Sequence, residues 1–152
     1  LLTPERVREH GFEIRQHWMC SIGRDHTGHI PNLVRLLFDY PPEERPDALY
    51  IDDDNLVEET LGTVHDMGLH VGRDLDIVIH CNWPLPAPSF LPIAHLGTHI
   101  HDFLYHAIGM ILAQRSGQTP PREVFMPTIF EEEMRSREPL SFEFDVASAS
   151  AK

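Results

Sequence analysis

The sequence predicts a layered α/β fold built on a parallel sheet in three layers. Two observations carry that expectation. Short apolar runs alternate with amphipathic helical stretches about three times in the first half of the chain, as parallel βαβ units require. The 152 residues, 41% of them apolar, are enough for one sizeable core, with no internal repeat and no low-complexity linker to divide it.

The elements follow in order. Thr3 reads as an N-cap and Pro4 as the first helical position, opening a helix that carries Val7, Phe12 and Ile14 to about His17. WMCSI, residues 18–22, reads as a short apolar strand, and GRDHTGH as the turn after it. IPNLVRLLFDY places Leu33, Leu36 and Leu37 on one face of a second helix, which PPEERP breaks. ALYI, residues 48–51, is a second strand. NLVEETLGTVHDMG then gives a helix with Leu56, Leu61, Val64 and Met67 at core spacings and Gly68 as its stop. DLDIVIH is a third strand. CNWPLPAPSFLP carries four prolines and is a stiff loop that accommodates a cis bond. Residues 95–117 read as one long helix, and REVFMPTIFEEE as an extended segment whose Pro127 assigns it to an edge or a crossing. ASASAK is small, polar and patternless, the composition of a disordered end.

Charge and composition exclude several roles. A formal charge of −12 makes an extended surface repel nucleic-acid phosphates, so this segment is not expected to bind DNA itself. There is no apolar run long enough to cross a bilayer and no basic-then-apolar leader at the first residue, so the chain reads as soluble. Its opening, LLTPERVREHGF, lacks an initiator Met and reads as part of something longer. Cys20 and Cys81 are too few and too far apart for a disulfide framework or a CxxC knuckle, and fit a reducing compartment.

In parallel sheets, ligands sit beyond the carboxyl ends of the strands, which singles out residues 23–28, 52–55 and 81–92. The run Asp52, Asp53, Asp54 has several readings. A phosphoacceptor needs a lysine to hold the phosphate, and the sole lysine is Lys152 at the terminus. A magnesium site needs further oxygen ligands that spacing does not identify. Asp54 or Asn55 capping the next helix is the ordinary structural role, yet capping does not need three carboxylates. His95, His99, His101 and His106 with Asp102 offer a zinc-like set at helical spacing, without HExxH; histidines strewn along an amphipathic helix are more often surface groups. Neither GxSxG, a Walker loop nor GxGxxG is present, and nucleophilic catalysis has no candidate.

Three motifs in order carry a resemblance: Arg8, Gly11 and Phe12 as RxxGF; PDALYIDDD at 46–54; and MGLHVGRDLDIVIHC at 67–81. Together they resemble the carboxyl-terminal part of the LacI/GalR-type transcriptional regulators, over about residues 5–133. The resemblance implies a partial periplasmic-binding-protein-like lobe of type I: residues 1–94 and 118–134 as the incomplete second effector lobe, 95–117 as a helix of the otherwise missing first lobe, and 135–152 as an extension disordered at its end. It implies a cytoplasmic homodimer that is not an enzyme and has no cofactor. A small sugar-like effector would modulate DNA affinity, with DNA contacted only through a separate N-terminal headpiece. The dimer contact is expected at the helix of residues 55–68 and the proline loop.

The ligand contacts so implied are Arg8, whose fork suits vicinal hydroxyls or a carboxylate, and Asp53, facing the ligand while a neighbour caps. Trp83 offers an indole face with a free N–H, and Asn82 stands beside it; Asp25 and His26 enter by location in the first loop. No metal ligand is implied. The sequence departs from the pattern at Cys81, where the family has Asp, at Glu59 for Gly and at Gly72 for Pro. An extracytoplasmic sugar-binding protein of a transporter is the rival on the same fold, and a metal-dependent hydrolase using the aspartates and helix histidines is the rival from another class.

Overall fold

The computed structural model describes residues 4–23 and 28–137. Thr3, Asp25, His26 and the expected disordered end lie outside the described residues. The elements run α1 (Pro4–Glu9), α2 (Ile30–Phe38), β1 (Ala48–Ile51), α3 (Val57–Asp66), β2 (Asp76–Trp83), β3 (Ala94–His99), α4 (Ile100–Arg115), β4 (Ile129–Phe130) and α5 (Glu131–Ser136). One sheet has the order β1-β2-β3-β4; β1, β2 and β3 are parallel, and β4 joins antiparallel at the edge. The parallel α/β expectation therefore holds, and so does Pro127 heralding an edge.

The core explains why these segments adopt these forms. Ile30, Val34, Leu37 and Phe38 recur at i, i+4, i+7 and i+8 along α2, and Val57, Leu61 and Val64 at i, i+4 and i+7 along α3, so each helix presents one apolar stripe. The two stripes meet each other and cover Ile51, Ile77 and Ile79 on the sheet. Burial of each such side chain contributes roughly 1.5–3 kcal/mol. The stripe on α2 is turned from the expected one: Leu37 is buried but Leu36 faces solvent. On α3 Leu61 and Val64 are buried as expected, with Leu56 and Met67 packed at the margin, and Gly68 ends the helix at φ 72°.

Along β2 the alternation is strict: Ile77, Ile79, Cys81 and Trp83 are buried, whereas Asp76, Val78, His80 and Asn82 are not. The parallel register carries that asymmetry across the sheet. One face is closed by α2 and α3, and no described strand residue on the other is buried.

Three expectations are corrected. The first helix stops at Glu9 rather than near His17, because Gly11 takes φ 83° and the amide of Phe12 turns back to the carbonyl of Val7. WMCSI is not a strand: Gln16–Trp18 form a 3-10 turn, and Trp18 and Ile22 pack against the core as side chains without joining the ladder. The long helix begins at Ile100, not at residue 95, since residues 94–99 pair in register with residues 78–83 as β3.

Candidate functional site

The carboxyl ends of β1 and β2 lie side by side and gather the polar residues that the sequence marks. Beyond β1 the chain turns at once. Asp53 holds an extended backbone and accepts the amide of Asn55 at 3.0 Å and its side-chain Nδ2 at 2.7 Å, starting the 3-10 turn Asp54–Leu56 that leads into α3. The cap is therefore Asp53, not Asp54 or Asn55. Asp54 is freed from capping and turns across the strand ends, where Asn82 donates through Nδ2 to its Oδ2 at 3.5 Å. Asp52 accepts the hydroxyl of Tyr50 at 3.1 Å. Burial, then that carboxylate, pushes the Tyr50 phenol up to about 12. Each aspartate thus accepts a donor, Asp52 from Tyr50, Asp53 from Asn55, and Asp54 from Asn82 and, at 3.3 Å, from Asn55, which is how a run of like charges is accommodated at one strand end.

Cys81 occupies the buried position between these groups. Its thiol is pushed up to about 11, first by burial and then by the charges of Asp54 and Glu131. It stays neutral at physiological pH and is a poor nucleophile or metal ligand. Opposite it stands Gly97, where a Cβ would lie 1.9 Å from the Cys81 carbonyl oxygen and 2.7 Å from its Sγ. The two strands approach so closely here that this position accepts glycine alone.

The remaining expected contacts are placed less simply. Arg8 lies on α1, and its Nη2 donates to the carbonyl of Ile14 at 3.1 Å, closing its own turn. Trp83 is buried, and its indole N–H donates to the carbonyl of Ile129 at 3.1 Å, so the expected free N–H is engaged inside the fold. The Trp83–Pro84 bond is cis. The structure therefore brings Asp53 and Asn82 to one edge through Asp54. It gives Arg8 and Trp83 partners of their own.

Sequence reasoning did not single out Asp54 as the residue facing the next strand, nor Glu131. His95, read there as part of a helical zinc-like set, sits on β3 with Nε2 3.2 Å from the Ala87 carbonyl oxygen and Nδ1 3.6 Å from Glu131. An open depression of about 490 Å³ is lined by Ala94, His95, Phe130 and Glu131 to Glu133. None of the six expected ligand contacts lines it. Its acidic rim and openness make it a weaker ligand site than the strand ends, where the fold's topology places ligands. Among the described residues, no group of three His, Cys, Asp or Glu side chains is arranged to hold a metal ion.

A parallel sheet whose adjacent strand ends carry polar side chains, with helices closing one face, is part of a lobe of the periplasmic-binding-protein-like type. Residues 3–132 match the periplasmic binding protein-like domain, and the chain belongs to that family. No curated protein matches the sequence. Among solved structures, the fold is similar to that of a regulatory protein of LacI family from Chloroflexus aggregans, at 20% identity and TM-score 0.68, over 83% of this chain and 45% of that one. It is also similar to a LacI family transcriptional regulator from Lactobacillus casei with bound sucrose, at 14% identity and TM-score 0.61, over 84% of this chain and 46% of that one. The same regulator with bound glucose matches at 14% identity and TM-score 0.61, over 84% of this chain and 45% of that one. The chain thus spans less than half the length of these relatives.

Proposed function

We propose that this chain is most of the second lobe of the effector domain of a LacI-type transcriptional regulator, and that it binds a sugar or related metabolite at the carboxyl ends of β1 and β2. The observation that carries the reading is the Asp54–Asn82 approach across the two strand ends. It sets a carboxylate and an amide together where the topology places ligands, and both groups suit hydroxyl recognition. The sugar-bound Lactobacillus casei structures share the fold and support a carbohydrate-like ligand. In this reading α4 belongs with the first lobe, α3 and the proline loop form the two-fold contact of a homodimer, and DNA is bound by a separate headpiece. Effector binding shifts the balance between lobe arrangements and so changes operator affinity, without making or breaking a bond.

The test is a thermal-shift screen of sugars, polyols and sugar acids against the full-length protein, followed by titration of any hit against Arg8→Ala, Asp53→Ala and Asn82→Ala. Loss of a buried charge-assisted bond weakens binding by roughly ten-fold or more. Unchanged affinity in all three variants places the pocket elsewhere.

A further inference from the structure

The strand β3 runs into α4 without an intervening residue: β3 ends at His99 and the helix begins at Ile100. His99, at φ −75° and ψ 115°, makes the whole turn, and its side chain forms no capping bond. Among the described residues of α4 only Asp102 is buried, whereas Phe103, Leu104, Ile108 and Ile111 are exposed. The helix is therefore a rod of 16 residues, about 24 Å long, held to the sheet through its first turn. A rotation of about 10° at that joint moves its far end by about 4 Å, so whatever fixes the first turn fixes the direction of the whole helix.

One ion pair stands at that joint. The guanidinium of Arg137 meets Asp102 Oδ2. Arg137 itself is tied to the frame of the sheet. It follows α5 directly, and α5 is fastened to β4 by Glu133, whose carboxylate accepts the amide of Phe130 at 2.8 Å. In turn β4 pairs antiparallel with β3, and its Ile129 carbonyl accepts the indole N–H of Trp83 at 3.1 Å. The pair thus joins the helix to the sheet from outside the turn at His99. The other carboxylate oxygen, Oδ1, lies 3.9 Å from His99 Nδ1, beyond hydrogen-bond reach, and neither atom has a hydrogen-bond partner among the described residues. A turn of α4 about His99 changes that gap directly, because the two residues lie on either side of the joint.

We infer that the Asp102–Arg137 pair is a latch that holds α4 at one angle to the sheet, and that opening it lets the helix swing about His99. Hinges of this kind are a few residues at the end of an element that absorb a change in φ and ψ. The functional consequence rests on the reading above that α4 belongs with the first lobe: any change in lobe arrangement then turns α4 about this joint, and the pair sets the resting angle. Arg137 and Asp102 are positioning residues, remote from the effector site in sequence and role.

The test reads that angle as a distance. Spin labels at Arg35→Cys on α2 and Gln114→Cys near the far end of α4, both exposed positions, are placed in a Cys20→Ser background, with buried Cys81 retained. Labelled chain is diluted into unlabelled chain, so that distances within one chain are read. The expected result is one narrow distance in the parent and a distribution moved or broadened by at least about 4 Å in Arg137→Ala. Arg137→Lys restores a cation and is expected to return the distribution toward that of the parent, which a general loosening of α5 does not do. A parent-like distance and width in Arg137→Ala overturns the latch. Should that variant lose its cooperative urea transition, Asp102→Ala decides in the same way, since it removes the buried charge instead of stranding it. The two readings fail separately: an unmoved distance sinks the latch and leaves the effector site untouched, whereas ligand affinity unchanged in the site variants leaves the distance result standing.

Discussion

At the scale of single residues, the pair Cys81 and Gly97 is the most constrained feature of the site. The atoms that a methyl group on Gly97 would strike first are backbone, so the clash is not relieved by turning a side chain. Gly97→Ala is expected to force β2 and β3 apart and cost on the order of 3 kcal/mol or more, read as a drop in the urea midpoint. The neutral thiol gives a second prediction. The ordinary cysteine value of 9.0 is raised to about 11 in the fold, so between those limits the unfolded chain has released a proton that the folded chain keeps. The folded state binds more protons in that window, and stability must fall as pH rises through it. Tyr50, raised from 10.0 to about 12, extends the fall upward. Urea unfolding at steps from pH 8 to 11 is expected to show the decline, and Cys81→Ser to flatten its lower part. A slope unaltered by that substitution would show that the thiol is not buried beside those carboxylates.

At the scale of elements, what the sequence made legible divides along one physical line. β1, α3 and most of β2 were readable because each carries its signal locally: ALYI between a proline breaker and the aspartates, the period of Leu61 and Val64 closed by Gly68, and the apolar run DLDIVIH; the strand in fact continues through Cys81, Asn82 and Trp83, which the prolines beyond them had assigned to the loop. β3 was not readable. AHLGTH has one large aliphatic residue, and its histidines extend into a helical spacing with Asp102 and His106, so the strand exists because β2 offers an open edge, not because of local preference. Residues 18–22 failed in the opposite sense, as an apolar run whose side chains reach the core without backbone pairing. The candidate site divided similarly: its place at the strand ends is an expectation drawn from topology, whereas the exchange of roles between Asp53 and Asp54 depends on which backbone carries the cap. The β3–α4 junction also makes a prediction of its own. Asp102 is buried, and the guanidinium of Arg137 is its ionic partner from the end of α5. Arg137→Ala leaves a buried carboxylate without that partner and is expected to destabilise the fold by about 1–3 kcal/mol. Asp102→Asn in the same chain should recover part of the loss, and strict additivity of the two changes in a double-mutant cycle would show that the groups do not interact.

At the scale of the whole molecule, the described helices close one face of the sheet, no described strand residue on the other face is buried, and the chain carries 24 acidic against 12 basic residues. The charge decides how the chain can relate to DNA. Non-specific affinity for a duplex comes from Lys and Arg displacing counterions, so binding weakens steeply with salt in proportion to the phosphates neutralised. A chain with a net charge of −12 has no such surplus to spend, whatever its fold relatives do. In a gel-retardation series on duplex DNA from low to physiological salt, the 152-residue chain is expected to give no shifted band at any concentration below that of gross crowding. Retention that falls linearly with the logarithm of salt would instead demand a concentrated basic surface on this lobe, and would place DNA contact here rather than in a separate headpiece.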